Sequence, residues 1–591
     1  MLKAENLVPH RRLVVVYGVV IFLTVILLGR FFLLQIYRYE KYKLKAEVNR
    51  IRAVTINAPR GLIVDRYGDR LVDNYPTFVI TAIPGEIGSK EQLFKKVSSC
   101  TGIDSMDLAA NYHKYYRGRF IPARLAKDLS FAQISILEEH KLDLAGLQYE
   151  QFPERIYPSP IRGSHFLGYV KEVDRNIRDR LGEKTHYELG DLIGWQGLEK
   201  VYEDQLRGHK GISYLEVDAL GRIVGRVNGE KEIPPTPGRD LMVTIDATLQ
   251  GLLEDELRNY RGVALVSEPR TGEILAYVSA PDYPPDLFTG ATSVEEWNKI
   301  LTDSDRPLLD RISSGLYPPG STFKIVTLLA LLENRLVDPD WTVECTGGYI
   351  LGDREFRCWK EGGHGTVNLR EALIQSCNVY YYQVVQKLSF DQWADLCSEF
   401  GFGKPVGIDL PSERAGLIPT PDYMNSRYGR WGWSRGYMLN LAIGQGDIVV
   451  TPLQMANFIN IIATAGKAKR LHFSKSMTVD YVKTPVLRAT TWRKVNDLLE
   501  GVVYDQHGTG KAADPRIKGV VIAGKTGTAE NPHGEPHAWF VGYGKKGDSL
   551  TSVVILIENG GHGGAVAAPI ARKIFAYLYG PGKQLAAQVT Q

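Results

Sequence analysis

Residues 317–333 read YPPGSTFKIVTLLALLE, a proline-rich break followed by a mostly apolar run. The break predicts a helix over Ser321–Glu333 with Ser321 in its first turn. Side chains three positions apart share a helix face, so Ser321 and Lys324 would be neighbours. A serine hydroxyl becomes an effective nucleophile when an adjacent base takes its proton. This stretch therefore predicts a nucleophilic serine with a lysine base.

A lysine acts as a base near neutral pH only when its pKa is lowered. Burial in the apolar helix, the positive helix end and a second cation at Lys525 would each lower the pKa of Lys324. The alternative is an ordinary core helix with a solvated lysine. That alternative is favoured only where no further motif accompanies the serine.

Two further strings follow in order along the chain, Ser376-Cys-Asn378 and Lys525-Thr-Gly-Thr528. The second string is flanked by apolar runs that predict successive antiparallel strands, at Val520–Gly524, His537–Gly542 and Leu550–Ile557. A strand edge with these residues offers ammonium and hydroxyl groups to a substrate carboxylate, and a glycine allows close backbone approach. The alternative is an edge strand that a lysine protects against aggregation.

The ordered trio resembles the penicillin-binding protein and serine β-lactamase superfamily. Boxes outside the trio resemble class B penicillin-binding proteins, most closely the penicillin-binding protein 2 type that acts in cell elongation. These boxes are Arg60-Gly61, Asp65-Arg66, Gly68, Asn74, Arg155, Tyr157-Pro158, His165, Gly168-Tyr-Val170, Gly197-Leu-Glu199, Tyr202-Glu203 and Leu206-Arg-Gly208.

The resemblance implies an α/β (α+β) catalytic domain, with a mainly antiparallel sheet, helices on both faces and the site in a cleft beside the sheet. The hairpin at 262–280 would supply the first two strands, after a proline-rich break at 233–238. The expected order is a cytoplasmic tail (1–12), a transmembrane anchor (13–34), an elongated pedestal or dimerisation domain (35–238), the transpeptidase domain (239–580) and a flexible tail (581–591).

The apolar run at Leu13–Gly29, extended by 31–34, is long enough to span a bilayer. A cleaved signal peptide is the alternative, but no small-residue cleavage site follows, so a single-pass anchor is predicted. Basic residues on both sides leave its orientation open. The resemblance places the C-terminal part outside the cytoplasmic (inner) membrane. A formal charge of +4 over 591 residues indicates no nucleic-acid partner.

The resemblance also implies the mechanism. Ser321 would attack the carbonyl between the two terminal D-alanines of a peptidoglycan stem peptide, with Lys324 as base, and an acyl-enzyme would form. Ser376 would relay a proton between Lys324, Lys525 and the leaving amine, while Asn378 would bind the substrate backbone. Lys525, Thr526 and Thr528 would hold the substrate carboxylate, and Gly527 would allow close approach to this strand. Backbone N–H groups of Ser321 and Thr528 would form the oxyanion hole.

An amine from a neighbouring stem would then complete the crosslink, and β-lactams would acylate Ser321. The pedestal would be either a spacer or a docking surface for a SEDS-family glycan polymerase. No organic cofactor is expected. The rival functions are a non-enzymatic scaffold that activates the polymerase, a D,D-carboxypeptidase and a β-lactam sensor. No separate polymerase domain is predicted, which disfavours the bifunctional class A arrangement.

The string Gly432-Trp-Ser434-Arg-Gly436 also fits the nucleophile elbow of other hydrolases. That motif requires a strand before the serine and a helix after it. The preceding residues 422–431 are polar and do not alternate, so they predict a loop at the substrate groove rather than an elbow.

The chain has five cysteines, and three of them form a spaced set with one histidine: Cys345, Cys358, His364 and Cys377. Three cysteines and a histidine suit tetrahedral zinc, and some class B relatives have a zinc site here. The alternatives are a Cys345–Cys358 disulfide, which an oxidising compartment favours, and Asp353 in place of one cysteine ligand. A metal would brace the Ser376-Cys-Asn378 loop from behind.

Overall fold

The computed structural model describes residues 10–43, 51–182, 187–217, 223–226, 232–288 and 294–581. Nearly all of the predicted tails at 1–12 and 581–591 lies outside these ranges. The chain forms two compact units that interleave along the sequence. The first unit contains 1–59, 76–153 and 208–237, and the second contains 60–75, 154–207 and 238–591. Two pieces of the segment predicted as a pedestal therefore belong to the C-terminal unit.

The first unit begins with an exposed apolar helix, His10–Phe32, continued by a π-helical turn, Leu33–Tyr37. This segment is long and apolar enough to cross a membrane. The remaining helices of this unit are Lys90–Thr101, Ser105–Tyr115 and Phe131–Glu139. Its strands are Ile51–Ile56, Ala123–Leu129, Gly211–Val217 and Ile223–Arg226. Two strands, Arg70–Ala82 and Leu147–Ile156, begin in one unit and end in the other.

The second unit is built on a five-stranded antiparallel sheet, as predicted. Its spatial order is Ile274–Ala280, Gly262–Ser267, Ser549–Ile557, His537–Lys546 and Val521–Ala529. The predicted hairpin at 262–280 supplies the first two of these strands. The last strand, Val521–Ala529, contains the Lys-Thr-Gly-Thr string and ends the sheet, and we call it the edge strand.

Both faces of this sheet are covered by helices. Along Gly262–Ser267, Val263 and Leu265 pack into one core, whereas Ala264 and Val266 pack into the other. This division follows from the two-residue period of a strand. Helices Ala247–Leu257 and Ala567–Tyr579 contribute to the second core, and Lys324–Glu333 and Pro452–Ala463 contribute to the first.

The other helices of the second unit are Ser164–Leu167, Arg175–Leu181, Gly197–Val201, Glu203–Leu206, Val294–Leu301, Leu369–Ile374, Asn378–Val384, Phe390–Glu399, Pro421–Tyr428, Tyr437–Ala442 and Ala489–Tyr504. Its short strands are Ile63–Val64, Val170–Glu172, Leu192–Gly194, Leu241–Met242, Val343–Cys345, Gly348–Leu351, Arg354–Arg357 and Gly365–Val367.

A buried ion network joins the class B boxes inside the second unit. Glu199 accepts hydrogen bonds from Arg60 at 2.6 Å and from Arg155 at 2.7 Å, and all three side chains are almost completely buried. The guanidinium of Arg60 also bonds Glu203 at 2.6 Å. Buried charges need such partners, so Arg60, Arg155, Glu199 and Glu203 have a structural role. These four residues lie apart from the motif trio in the sequence.

Candidate active site and metal group

Ser321 lies in a tight 3₁₀ turn, Gly320–Phe323, which leads into the α-helix Lys324–Glu333. In a 3₁₀ turn, residues i and i+3 are eclipsed, so Ser321 and Lys324 share a face, as the sequence predicted. Gly320 has a φ of 55°, which favours glycine. A Cβ at this position would lie 2.9 Å from the carbonyl oxygen of Thr528. The turn therefore packs directly against the edge strand.

Lys324 is fully buried, and its Nζ has three oxygen neighbours. It donates to the carbonyl oxygen of Ser376 at 2.8 Å, to Asn378 Oδ1 at 2.7 Å and to Ser376 Oγ at 3.2 Å. Burial lowers the pKa of Lys324 to about 8. A base with this pKa is partly neutral near physiological pH, as the predicted role of Lys324 requires.

Ser376 has a positive φ of 55°, an uncommon conformation for a residue with a side chain. It follows the short helix Leu369–Ile374 and is buried. This conformation directs both its carbonyl and its hydroxyl oxygen to Lys324. Asn378 bonds Lys324 through Oδ1 and donates to the carbonyl oxygen of Arg357 at 3.3 Å. It also lines the groove, and its binding of the substrate backbone stays a prediction.

Lys525 is fully buried in the middle of the edge strand, facing Val541 across the ladder. Its Nζ donates to the carbonyl oxygen of Thr526 at 3.0 Å. Burial, followed by the nearby charge of Lys324, lowers the pKa of Lys525 well below its ordinary value. A lysine that protects a strand edge would be solvated, so the protective alternative is wrong for this residue.

Gly527 packs closely against the nucleophile turn. A Cβ on this residue would lie 3.0 Å from Thr322 Cγ2, 3.0 Å from Trp539 Cβ and 3.2 Å from the carbonyl oxygen of Pro319. The sequence predicted that Gly527 allows close approach to this strand. In the structure, the atoms that approach it belong to Thr322, Trp539 and Pro319. The glycine thus fixes the spacing between Ser321 and the edge strand.

A groove of about 660 Å³ runs between the edge strand and the helical part of the second unit. Ser321, Ser376 and Asn378 line it, with Thr526 and Thr528 on the edge strand. The other lining residues are Arg354, Glu355, Phe356, Arg357, Cys358, Trp359, Tyr382, Asn440, Ile443, Gln445, Thr509, Glu530, Pro536, His562 and Gly564. Residues of all three strings therefore meet at one groove, whereas Lys324, Lys525 and Gly527 are not among the residues that line it.

Trp359 is a residue of this groove that sequence reasoning missed. Its indole N–H donates to the carbonyl oxygens of Ser376 at 3.1 Å and Gln375 at 3.2 Å. Its ring also packs edge-on against His364, with centroids 5.4 Å apart. The only sequence signal was its position directly after Cys358, which pointed to no function.

The predicted metal ligands Cys345, Cys358, His364 and Cys377 come together as one group. Their ligand atoms all lie within 4.8 Å of one another. His364 Nδ1 is 3.5 Å from the sulfurs of both Cys345 and Cys358. All five cysteines are free in the structure, and Asp353 is an exposed residue outside the group. The choice between zinc and a Cys345–Cys358 disulfide stays a prediction.

The distances within this group suit a tetrahedral ion. With Zn–S near 2.3 Å and Zn–N near 2.05 Å, a tetrahedral site separates sulfur from nitrogen by about 3.6 Å. A hydrogen bond from the Cys377 thiol, followed by one from His364, lowers the pKa of Cys358. Cys377 stands between Ser376 and Asn378, so the group lies directly behind the residues that contact Lys324.

The candidate elbow at Gly432–Gly436 has no strand before it. It follows a helix, Pro421–Tyr428, and is followed by another, Tyr437–Ala442. The structure thus contradicts the elbow, and it also contradicts the predicted loop over 422–428, whereas 429–431 is a loop as predicted. Thr420 caps the first helix by accepting from the Tyr423 amide, and Pro421 occupies its first position. These two signals outweigh the polar composition.

The chain matches two protein families. Residues 262–576 match the penicillin binding protein transpeptidase domain, and residues 55–243 match the penicillin-binding protein dimerisation domain. Among curated proteins, the chain is 30% identical to peptidoglycan D,D-transpeptidase MrdA of Haemophilus influenzae, over 97% of this chain and 92% of that protein. It is 31% identical to MrdA of Acinetobacter baumannii, over 98% and 88%.

Two solved structures are also similar. Penicillin-binding protein PBP2 of Helicobacter pylori, in complex with MreC, superposes with a TM-score of 0.79 and 28% identity, over 90% of this chain and 100% of that one. A chain of a peptidoglycan synthase complex, described for its coordination of polymerization and crosslinking, gives a TM-score of 0.71 and 31% identity, over 95% and 97%.

Proposed function

Because the chain belongs to the class B penicillin-binding proteins, we propose that it crosslinks peptidoglycan stem peptides as a serine D,D-transpeptidase. The observation that carries this proposal is the position of Lys324. Its buried amine follows Ser321 by three residues and bonds the Ser376 and Asn378 motif loop. The same groove is lined by Thr526 and Thr528 of the edge strand.

Acylation begins with the neutral amine of Lys324, which takes the Ser321 proton as the hydroxyl oxygen attacks the carbonyl of the penultimate D-alanine. Backbone N–H groups of Ser321 and Thr528 stabilise the oxyanion, a contact worth about 3 kcal/mol in other enzymes. The packing of Gly320 against Thr528 supports this role, because it places the two backbone segments side by side.

The leaving D-alanine amine needs a proton, and Ser376 is placed to deliver it. Its hydroxyl oxygen lies 3.2 Å from Lys324 Nζ, so the proton that Lys324 took from Ser321 can pass through this hydroxyl to the leaving amine. Thr526 and Thr528, which line the groove, hold the terminal carboxylate, with Lys525 buried beside Thr526 on the same strand. An amine of a second stem peptide then attacks the acyl-enzyme, and Lys324 accepts its proton, which regenerates the Ser321 hydroxyl.

Mass spectrometry of penicillin-treated protein tests the assignment. We expect one penicilloyl adduct on Ser321 in the wild type and none in Ser321→Ala. An unmodified wild-type Ser321 would overturn the enzyme assignment and favour a scaffold that only activates a polymerase. Product analysis with a stem-peptide donor and an amine acceptor distinguishes transfer from hydrolysis. Free tetrapeptide as the sole product would instead indicate a D,D-carboxypeptidase.

We further propose that the chain acts in cell elongation together with a SEDS-family glycan polymerase. A similar chain occurs in a peptidoglycan synthase complex, and the match to the dimerisation domain supplies a non-catalytic part for docking. Co-purification of the full chain with such a polymerase tests this pairing. Failure to co-purify, with penicillin acylation intact, would leave a transpeptidase that acts alone.

The apolar helix His10–Phe32 supports a single-pass anchor in the cytoplasmic membrane. We propose that the catalytic unit lies outside this membrane, where its substrate is. Protease added to intact spheroplasts should then cleave the C-terminal unit. Protection of that unit until the membrane is lysed would reverse the orientation.

We also propose that Cys345, Cys358, His364 and Cys377 hold structural zinc. The donor set, its burial and the 3.5 Å separations from His364 Nδ1 to two sulfurs support this ion. When bound, zinc would fix the loop that carries Ser376 and Asn378. Native mass spectrometry with and without a chelator should show the loss of one zinc ion. A mass two hydrogens below the reduced chain would favour a disulfide instead.

A further inference from the structure

The loop Gly429–Gly436, which we call the tryptophan loop, presents an unusually exposed aromatic side chain. Trp431 is 91% exposed, whereas most aromatic residues of this size are largely buried. The loop connects the helices Pro421–Tyr428 and Tyr437–Ala442. With the hydrolase elbow contradicted, the sequence motif in this loop has no role in the proposed acyl transfer.

The tryptophan loop is anchored on both sides of Trp431, so the position of its backbone is restrained. Three side-chain hydrogen bonds anchor its flanks: Tyr428 to Asp447 Oδ2 at 2.7 Å, Trp433 to Asn425 Oδ1 at 2.9 Å and Arg435 to the Gln386 carbonyl oxygen at 3.2 Å. The Trp433 ring also packs edge-on against Phe390 at 5.6 Å. Anchored aromatic side chains lose little conformational entropy when they bind a ligand.

The surroundings of Trp431 are basic. The guanidinium of Arg430 lies 5.8 Å from the centre of the Trp431 ring. Four further exposed arginines lie on the flanks of the loop and on the hairpin beside it: Arg354, Arg357, Arg427 and Arg435. Acidic partners within 4 Å are recorded for two of them, Asp447 for Arg427 and Glu355 for Arg357. The surface therefore favours an anionic ligand.

This basic and aromatic surface is continuous with the catalytic groove. Gly436, at the end of the tryptophan loop, approaches Phe356 and Leu351, since a Cβ there would lie 3.8 and 3.9 Å from their side chains. Phe356 lines the groove together with Ser321. Trp431 and Gly436 are five positions apart, so their Cα atoms are at most about 17 Å from each other. An extended four-residue stem peptide spans about 14 Å, a similar reach.

We propose that Trp431 and the surrounding arginines bind the glycan strand that carries the donor stem peptide. This inference rests on the proposed transpeptidase function, because it deepens the substrate of the same groove. The apolar faces of sugar rings stack on an indole, and guanidinium groups bind the carboxylates of the stems. An anionic membrane surface has a similar chemistry, but continuity with the groove favours the glycan strand.

The test compares a large substrate with a small one. Trp431→Ala and Arg430→Gln are assayed with uncrosslinked glycan strands bearing pentapeptide stems, and separately with fluorescent penicillin. We expect crosslinking of the strands to fall about fivefold to tenfold in Trp431→Ala, the effect of one lost aromatic contact. Acylation by penicillin should stay within about twofold of wild type, because it needs only the groove. Val486→Ala, a 99% exposed apolar residue outside the groove lining, is the matched control.

Strand crosslinking by Trp431→Ala equal to that of Val486→Ala would overturn the proposal. If, in addition, Trp431→Ala weakens binding to vesicles of phosphatidylethanolamine and phosphatidylglycerol (3:1), the loop is a membrane contact instead. A wild type that penicillin does not acylate would overturn the transpeptidase function itself, which is a different outcome. Thermal unfolding of both variants checks that a loss of crosslinking does not come from misfolding.

Discussion

Lys324 donates a 2.8 Å hydrogen bond from its buried Nζ to the backbone carbonyl oxygen of Ser376. The same oxygen accepts the indole N–H of Trp359 at 3.1 Å, and Ser376 has the left-handed φ of 55°. A strained backbone conformation persists only when its surroundings hold it. The proposed base Lys324 and Trp359, which packs on His364, thus both bond the carbonyl oxygen of one strained residue.

The pH dependence of acylation should follow Lys324. Burial lowers the pKa of this amine to about 8, so below that pH the protonated form dominates and cannot accept the Ser321 proton. The rate constant of penicillin acylation should rise about tenfold per pH unit below 8 and level off above it. Stopped-flow measurements with fluorescent penicillin from pH 6 to 10 would check this.

Lys324→Arg is the matched variant for that profile. Arginine keeps the positive charge but is not deprotonated in proteins, so acylation should fall by at least about a hundredfold at every pH. A variant that retains the wild-type rate and profile would show that another group takes the proton. Circular dichroism would establish that the variant is folded.

Trp359→Phe should slow acylation about fivefold to tenfold, because an aromatic ring is kept but the indole N–H that donates to the Ser376 carbonyl oxygen is lost. Trp431→Phe also replaces an indole by a phenyl ring, at a residue outside the groove lining, and serves as control for acylation. Zinc content is measured alongside, since Trp359 packs on His364. An unchanged rate with normal metal content would show that Lys324 alone holds the Ser376 peptide.

Gly527→Ala should lower both stability and acylation. Its Cβ would meet Thr322 and Trp539 side-chain atoms at 3.0 Å, and overpacking of this kind costs about 1–3 kcal/mol. Gly88→Ala, at a position with no heavy atom within 4 Å, is the control. Chemical denaturation measures the first effect and penicillin labelling the second. Equal stability of the two variants would contradict the tight contact.

Cys345→Ser should weaken metal binding and lower the melting temperature by several degrees, because one of the four proposed ligands is lost. Cys397→Ser removes an equally buried cysteine that is outside the group, and its metal content should match the wild type. Differential scanning fluorimetry with and without chelator compares the two. A chelator that leaves the wild-type melting temperature unchanged would count against a structural ion.

Glu199→Gln should destabilise the second unit by about 3–5 kcal/mol, because it leaves Arg60 and Arg155 buried with a weakened partner. Asp73→Asn breaks an ion pair with the exposed side chain of Arg70 and should cost at most about 1 kcal/mol. Urea unfolding of both variants provides the comparison. A small effect at Glu199 would mean that the arginines find other partners.

Much of the site was predictable from short-range signals. The spacing of Ser321 and Lys324 follows from helical geometry, and the strands around Lys525 follow from their apolar runs. The depth of Lys525 could not be predicted, because burial depends on helices far away in the sequence. For the same reason, Trp359 was missed, since its function depends on a contact with Ser376 across 17 residues.

The division of the chain into two interleaved units could not be predicted from local sequence patterns either. Strand Ile63–Val64 pairs in parallel with Leu241–Met242, and Arg60 bonds Glu199, so early residues belong to the C-terminal unit. Such pairings join residues more than a hundred positions apart. The helix Pro421–Tyr428 is different, because Thr420 and Pro421 are local helix-start signals that the polarity of 422–431 does not reflect.

The three clustered thiols impose an order of events during biogenesis. If the second unit folds outside the cytoplasm, as proposed, Cys345, Cys358 and Cys377 arrive unpaired in an oxidising space, with their sulfurs within 4.8 Å once folded. If an oxidase joins two of these thiols in a disulfide, both sulfurs are lost as metal ligands. If the group holds zinc as proposed, exported chains must bind the ion, or be kept reduced by a thiol reductase, before two of these thiols are oxidised.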